Sequence, residues 1–113
     1  MTIYDVFLDR IEKNGIVVVT NYAGEVPVGT VFTQLAKVRH EVTSGSSNAT
    51  ELWSKPIKLR LLEVFIYRKS VSLIPIGWSA GLILEGEEHE ELSHALIGKS
   101  KNEFVHLRSK NGA

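Results

Sequence analysis

The chain contains no cysteine, which excludes a disulfide framework and any thiolate metal site. No run approaches the ~18 consecutive apolar residues that a membrane-spanning helix needs, and no membrane partner is expected. The opening stretch, MTIYDVFLDRIEKNG, carries Asp5, Asp9 and Glu12 and no apolar core run. It does not read as a signal peptide. A cytoplasmic location is therefore expected, and the sequon Asn48-Ala49-Thr50 is a chance match. Excess charge is also missing: 13 basic residues balance 13 acidic ones. A dedicated nucleic-acid binder is usually plainly basic, although balance over the whole chain leaves room for a local basic patch. No G-x-x-x-x-G-K-[ST] loop occurs, so no nucleotide is cradled by that mechanism.

What is present is one domain's worth of protein, 113 residues, long enough to bury a core without staples. No internal repeat and no boundary divides 1–113. The pattern is mostly that of strands. GIVVVT, from Gly15 to Thr20, is β-branched and bounded by turn residues. After the turn-rich AGEVPVG comes TVFTQLAKVRH, in which Val31, Thr33 and Leu35 share one face and Phe32 takes the other. In PIKLRLLEVFIYRK, Ile57, Leu59 and Leu61 face one way while Lys58 and Arg60 face the other. The alternation then slips, so that Leu62, Val64 and Ile66 share a face; a one-residue slip is the mark of a β-bulge. VSLIPIG and WSAGLILEG supply further strands, with Ala80, Leu82 and Leu84 together on one face. EFVHLRS supplies the last. EEHEELSHAL reads as a short helical turn.

Three segments read differently. Residues 3–13 fit a helix through Ile3, Phe7 and Ile11, or a strand with Tyr4, Val6 and Leu8 on one face and Phe7 on the other, and periodicity leaves both open. EVTSGSSNATELWSKP is rich in Ser, Thr, Gly and Asn and is expected to be a loop, mobile over 43–55. RSKNGA, 109–113 in particular, is expected to be a frayed tail.

The spaced glycines carry a resemblance. YDVFLDRIEKNGIVVVTNYAGEVPVGTVFTQL resembles the opening of the β-barrel domain that follows the GTPase domain in translation factors such as elongation factor Tu. A first strand at Val6-Phe7, a VVVTG-like strand at Gly15 to Thr20 and a G-x-V-x-V-G step at Gly24 to Phe32 match its order. Gly77, Gly81, Leu82, Leu84 and Gly86 are similar to its later glycine turn and Leu-x-Leu-x-Gly strand, and EEHEEL stands where that family often has an acidic segment. The resemblance spans about 3–108. It implies an all-β fold, a small closed Greek-key barrel of six or seven strands with one short helical turn, and it tips residues 3–10 towards strand. It also implies contact with RNA or protein through strand faces and loops. The chain departs from the family in standing without a GTPase motif and in the length of its 42–56 segment.

Candidate chemistry is thin. His89-Glu-Glu-Leu-Ser-His94 looks like a zinc helix, but zincins space their histidines by four. A spacing of five turns the second ring away by ~140°, and a solvated polar segment is the expectation. His40 and His106 are lone histidines on strand-like segments, with no cofactor or metal expected. Gly77-Trp-Ser79-Ala-Gly81 matches the nucleophile elbow letter for letter, yet an elbow needs a helix after it, and a β-like run follows. Glu85, Glu87, Glu88, Glu90 and Glu91 form an acidic run, read as a solvated face or a docking edge for a basic partner. Arg60, Arg68 and Lys69, with Lys55, Lys58 and Tyr67, form a basic segment with an aromatic, the combination that holds phosphate and stacks a base. Trp53 in the expected loop and Trp78 beside a turn are placements that suit a contact surface or a lid over a barrel end.

The expectation is a non-enzymatic binding module, monomer or weak dimer, whose outer surface meets a protein or RNA. Its candidate contacts are Arg60, Arg68, Lys69, Tyr67 and Trp53 on the basic side and Glu87, Glu88, Glu90 and Glu91 on the acidic side. Two alternatives stand beside it. One is an immunity-like or inhibitor protein that caps a basic partner; the other is an enzyme whose mechanism the motifs do not reveal.

Overall fold

A computed structural model describes residues 4–109. Along it run β1 (Tyr4–Ile11), β2 (Val17–Thr20), β3 (Val26–Pro27), β4 (Val31–Thr43), β5 (Ser46–Ile66), β6 (Lys69–Val71), β7 (Leu73–Ile74), β8 (Ser79–Glu85), α1 (His89–Leu96) and β9 (Glu103–Ser109). The protein is mostly β, with one helix among the described residues. Every strand pairing is antiparallel. The large sheet runs β4-β9-β1-β2-β8-β5-β6, and β4 also pairs with β5. Six strands, β1, β2, β8, β5, β4 and β9, thus pair in a ring.

Alternation along each strand fills the ring's interior. Val6 and Leu8 point inward from β1, Val17 and Val19 from β2, Ala80, Leu82 and Leu84 from β8, Leu59, Leu61 and Val64 from β5, Phe32 and Leu35 from β4, and Val105 and Leu107 from β9. The strand reading of the first segment holds, with Phe7 turned to the outer side. β7 leads into the start of β8 and α1 leaves from its end, so the two lie towards opposite ends of the ring. Val26 and Ile74 of the small β3–β7 sheet and Leu92 and Ala95 of α1 join the same core. Buried Asn21 ties one end, its amide donating to the carbonyls of Gly24 and Ile74 at 2.9 and 3.0 Å.

The bulge expected near Leu61 is present: the β5–β8 register shifts between Leu61 and Glu63. Leu62, expected to share the face of Val64, is itself 41% exposed, because the extra residue of a bulge points away from the regular alternation. A second bulge, between Phe32 and Gln34, corrects the reading of β4. Phe32 and Leu35 both reach the core, and Val31 and Thr33 do not. Gly86 shows why one glycine position is restricted: a Cβ there would lie 2.3 Å from the Lys58 carbonyl oxygen, so β8 can close onto β5 at that point only without a side chain.

The expected loop over 43–55 is not a loop. Residues 46–55 are the first half of β5, paired with β4 all the way to Thr43↔Ser46. Ser44 and Gly45, with φ of 36° and 83°, make the two-residue turn. β-rich Thr and Val on β4 and the Ser-Gly turn suffice for a hairpin; polar composition concealed it because both faces of this ribbon meet water. The tail reading fails at Ser109, which is buried in β9; 110–113 lie outside the described residues. No described helix is long and apolar enough to cross a membrane.

Candidate functional site

Over the outer face of β2, β8 and the end of β5 lies an open groove of about 1210 Å³. Its floor comes from alternate residues that the core does not use, Ile16, Val18, Gly81 and Phe65. Gly81 brings β8 close to its neighbour: a Cβ there would stand 2.9 Å from Ile16 Cγ2. Arg10, Glu12 and Lys13 rim one end, and Tyr67, Arg68 and Trp78 rim the other. The four residues of β2 separate the ends by roughly 13 Å at about 3.3 Å per residue.

The second rim is unusual in its backbone. Tyr67 and Arg68 form the whole connection between β5 and β6, which pair Ile66↔Lys69. Their φ values are 51° and 67°. Two positive φ values in a two-residue hairpin are the type I′ pattern, which favours Asn-Gly. A bulky residue in this region costs on the order of 1 kcal/mol or more and persists where its surroundings hold it. Here the Tyr67 ring stands edge-on to Trp78, centroids 5.9 Å apart and planes at 82°. The pair stays accessible, with Tyr67 83% and Trp78 45% exposed. Arg10 pairs with Glu12 at 3.3 Å, both largely exposed, a pairing worth little in water. Lys13 and Arg68 make no ion pair among the described residues.

The expected basic segment is split. Arg68 joins the groove together with Tyr67, but Lys69 begins β6 and is not part of its lining. Arg60, expected to share a patch with Arg68, sits opposite Val31 and Glu85. With Lys58 it lines a separate cavity of about 390 Å³. β5 continues for six residues beyond Arg60, to Ile66, which sets the Tyr67-Arg68 turn roughly 20 Å from Arg60 at about 3.3 Å per residue.

The acidic run is split as well. Glu87 and Glu88 line the cavity of Lys58 and Arg60, so cations interrupt the acid edge. Glu90 is exposed on α1. Glu91 is committed elsewhere: it pairs with Lys55 of β5, whose hydrogen bond and charge hold the Glu91 carboxyl below its ordinary value of 4.5. Trp53 is likewise no loop residue. It packs against the core from β5, with the Lys55 ammonium 5.1 Å from its ring centre. Lys55 thus links the partly buried Trp53 to α1, so these groups fasten the helix to the sheet.

Elsewhere, His106 Nδ1 lies 2.8 Å from the Asp5 carboxylate, which can only accept, and the ring packs against Phe7 at 4.4 Å. His40 packs edge-on to Phe104 at 5.0 Å. Both are parts of an aromatic layer outside β1, β9 and β4. Ser79 begins a strand, so its surroundings are not those of an elbow. Its hydroxyl meets that of Thr20 at 3.0 Å, and Thr20 in turn donates to Asp9 at 2.5 Å, a chain without a histidine. His89 and His94 both lie on α1, five residues apart. Arg10, Lys13, Phe65 and the floor of the groove were not among the expected contacts. The signal that bears on them is the Tyr-Arg pair between two strands, where a hairpin turn would ordinarily carry Asn-Gly. Comparison with protein-family models, with curated proteins and with solved structures finds no match for this chain.

Proposed function

We propose that the chain is a non-enzymatic binding module that holds single-stranded RNA against the outer face of β2, β8 and β5. The observation that carries this reading is the strained Tyr67-Arg68 turn, folded so that an aromatic and a cation reach the groove beside Trp78. Bulky residues in a left-handed turn are retained where the surroundings use them. Exposed aromatic rings accept any base by stacking, and cations spaced along the groove follow phosphates. Arg10, Lys13 and Arg68 against the single Glu12 give the groove a local positive balance that the neutral chain as a whole lacks.

The ring of strands is read as a closed Greek-key barrel of the translation-factor type. In its favour, β4, β5 and β8 neighbour one another in chain order and β9 returns beside β4, the spatial order of a Greek key. The glycine steps at Gly15, Gly77, Gly81 and Gly86 fall at the strand ends and close approaches that the resemblance implies.

A protein partner is the second reading, favoured by Leu62, Ile83 and Trp78, which are exposed on or beside the same strands. Tyr, Trp and Arg are also the residues that dominate protein interfaces. The inhibitor reading has less support, since Glu91 is spent on Lys55 and Glu87 and Glu88 face Lys58 and Arg60.

The test is titration of a short single-stranded RNA at low salt, read by anisotropy of the RNA and by Trp fluorescence in wild type and Trp53→Phe. Binding that quenches Trp78 and weakens with salt is the expected result. No binding at low salt overturns the RNA reading and puts the protein partner first.

A further inference from the structure

The ring leaves few strand edges open, and the longest belongs to the ribbon formed by the end of β4 and the start of β5. β9 covers β4 only to Arg39↔Glu103, with one more bond from His40 N–H to the Asn102 carbonyl at 2.7 Å. β8 pairs with β5 only from Arg60 to Phe65. Between Glu41 and Glu51, therefore, β4 and β5 pair with each other and, among the described residues, with no other strand. Residues 44–51 are all exposed, and the molecule measures 43 Å in one direction against 27 and 26 Å in the others, as a projecting ribbon requires.

We propose that the outer edge of β5 from Ser47 to Glu51 pairs antiparallel with the same edge of a second copy of this chain. Three observations point to it. Exposed edges in natural sheets are usually blunted by lysine, proline or a bulge. None stands within the ribbon: 41–51 contains no Lys and no Pro, and the bulge of β4 lies at Lys37/Val38, below it. Lys55, Pro56 and Lys58 blunt the same edge of β5 only further along, between Glu51 and the start of pairing with β8 at Arg60. A two-stranded ribbon alone in water is marginally stable, and two ribbons edge to edge make a four-stranded sheet. The edge also matches itself. A two-fold axis normal to the sheet must pass through a residue, so that facing side chains share a side. Centring on Asn48, Ala49 or Thr50 sets Glu51 opposite Gly45, Ser47 or Ala49, so glutamate never meets glutamate. Self-matching of one patch is what a two-fold dimer demands, and a foreign strand needs no such symmetry. Five residues bury far less than the ~1,200 Å² of a standard interface, so association is expected only at micromolar concentration or above.

The test is sedimentation of the full chain from 10 µM to 1 mM. Wild type is expected to pass from monomer towards dimer. Asn48→Lys with Thr50→Lys places lysine opposite lysine in each of the three centrings, and like charges directly opposite destabilise a sheet pair. Both positions are exposed, so the fold is left intact, and this variant is expected to stay monomeric at ten times the wild-type midpoint. Asn48→Glu with Thr50→Glu is expected to do the same. An equimolar mixture of the two variants should form the dimer again. Wild type that remains monomeric at 1 mM overturns the proposal. So does a lysine variant that dimerises as wild type does, or a mixture of two monomeric variants that fails to associate.

Discussion

The two turns at the ends of β5 differ in what they carry. Ser44-Gly45 and Tyr67-Arg68 both join antiparallel strands through two residues of positive φ. The first uses small residues suited to that backbone and projects into water. The second uses two of the bulkier side chains and folds against Trp78. A turn that serves only to reverse the chain relaxes to the residues its backbone prefers. A turn that keeps an aromatic and a cation in an unfavoured backbone marks a place where those side chains are used.

Exchanging Tyr67-Arg68 for Asn-Gly breaks the comparison most severely. Strain is relieved, so stability to denaturant should rise by about 1 kcal/mol. RNA affinity should fall on the order of tenfold or more, because a stacking ring and a cation are lost together. The same exchange at Ser44-Gly45 should leave affinity unchanged. Equal loss of affinity at both turns would remove the distinction between them.

A smaller effect sharpens it. Arg68→Ala should flatten the dependence of log affinity on log salt by ~0.7, the value for one phosphate contact on a single strand. Arg60→Ala should leave the slope alone, since Arg60 lies in the other cavity. A change at Arg60 equal to that at Arg68 would restore the continuous basic patch that the strand geometry divides.

Amide exchange at 10 µM then compares the two ends of β5 directly. Amides of Arg60 and Leu61, held between β4 and β8, should exchange at least ~10-fold more slowly than those of Ser46 to Asn48 in the ribbon. Uniformly fast exchange from 43 to 58 would return this segment to a mobile loop.

The smallest effect concerns the root of the ribbon. Glu91 titrates below 4.5 in the folded chain because Lys55 binds its charged form. A depressed carboxylate contributes stability that is complete above the unfolded value, near 4.5, and is lost as pH falls through the folded one. Fluorescence of Trp53 in a Trp78→Phe variant should therefore change below pH 4.5, as α1 loosens from β5. The change should be absent in Glu91→Gln.

Much of the fold was legible from alternation. Val6 and Leu8, Leu59 and Leu61, and Ala80, Leu82 and Leu84 read as inward faces because strands buried on one side write a period of two. The helix at 89–96 was legible because Leu92, Ala95 and Leu96 stand three and four apart in a segment whose other residues are polar. The ribbon was not, because neither of its faces is buried and no period appears. The candidate groove was legible only in fragments, Tyr67, Arg68 and Trp78, while Arg10 and Lys13 lie more than fifty residues away in the chain.

By itself, the sequence determined the inward faces of β1 and β8, where β5 slips by one residue, and that the chain holds no cysteine and no phosphate-loop motif. Local pattern encodes these because burial and turn geometry act on neighbouring residues. The inward face of β4 it did not determine, because a bulge after Phe32 brings both Phe32 and Leu35 to the core. Tertiary structure alone decided which charges meet. Pairing between β5 and β8 set Arg60 opposite Glu85, docking of α1 turned Glu91 to Lys55, and the hairpin from β5 to β6 set Tyr67 against Trp78. Such contacts depend on register between distant strands, and a shift of one residue would exchange every one of them.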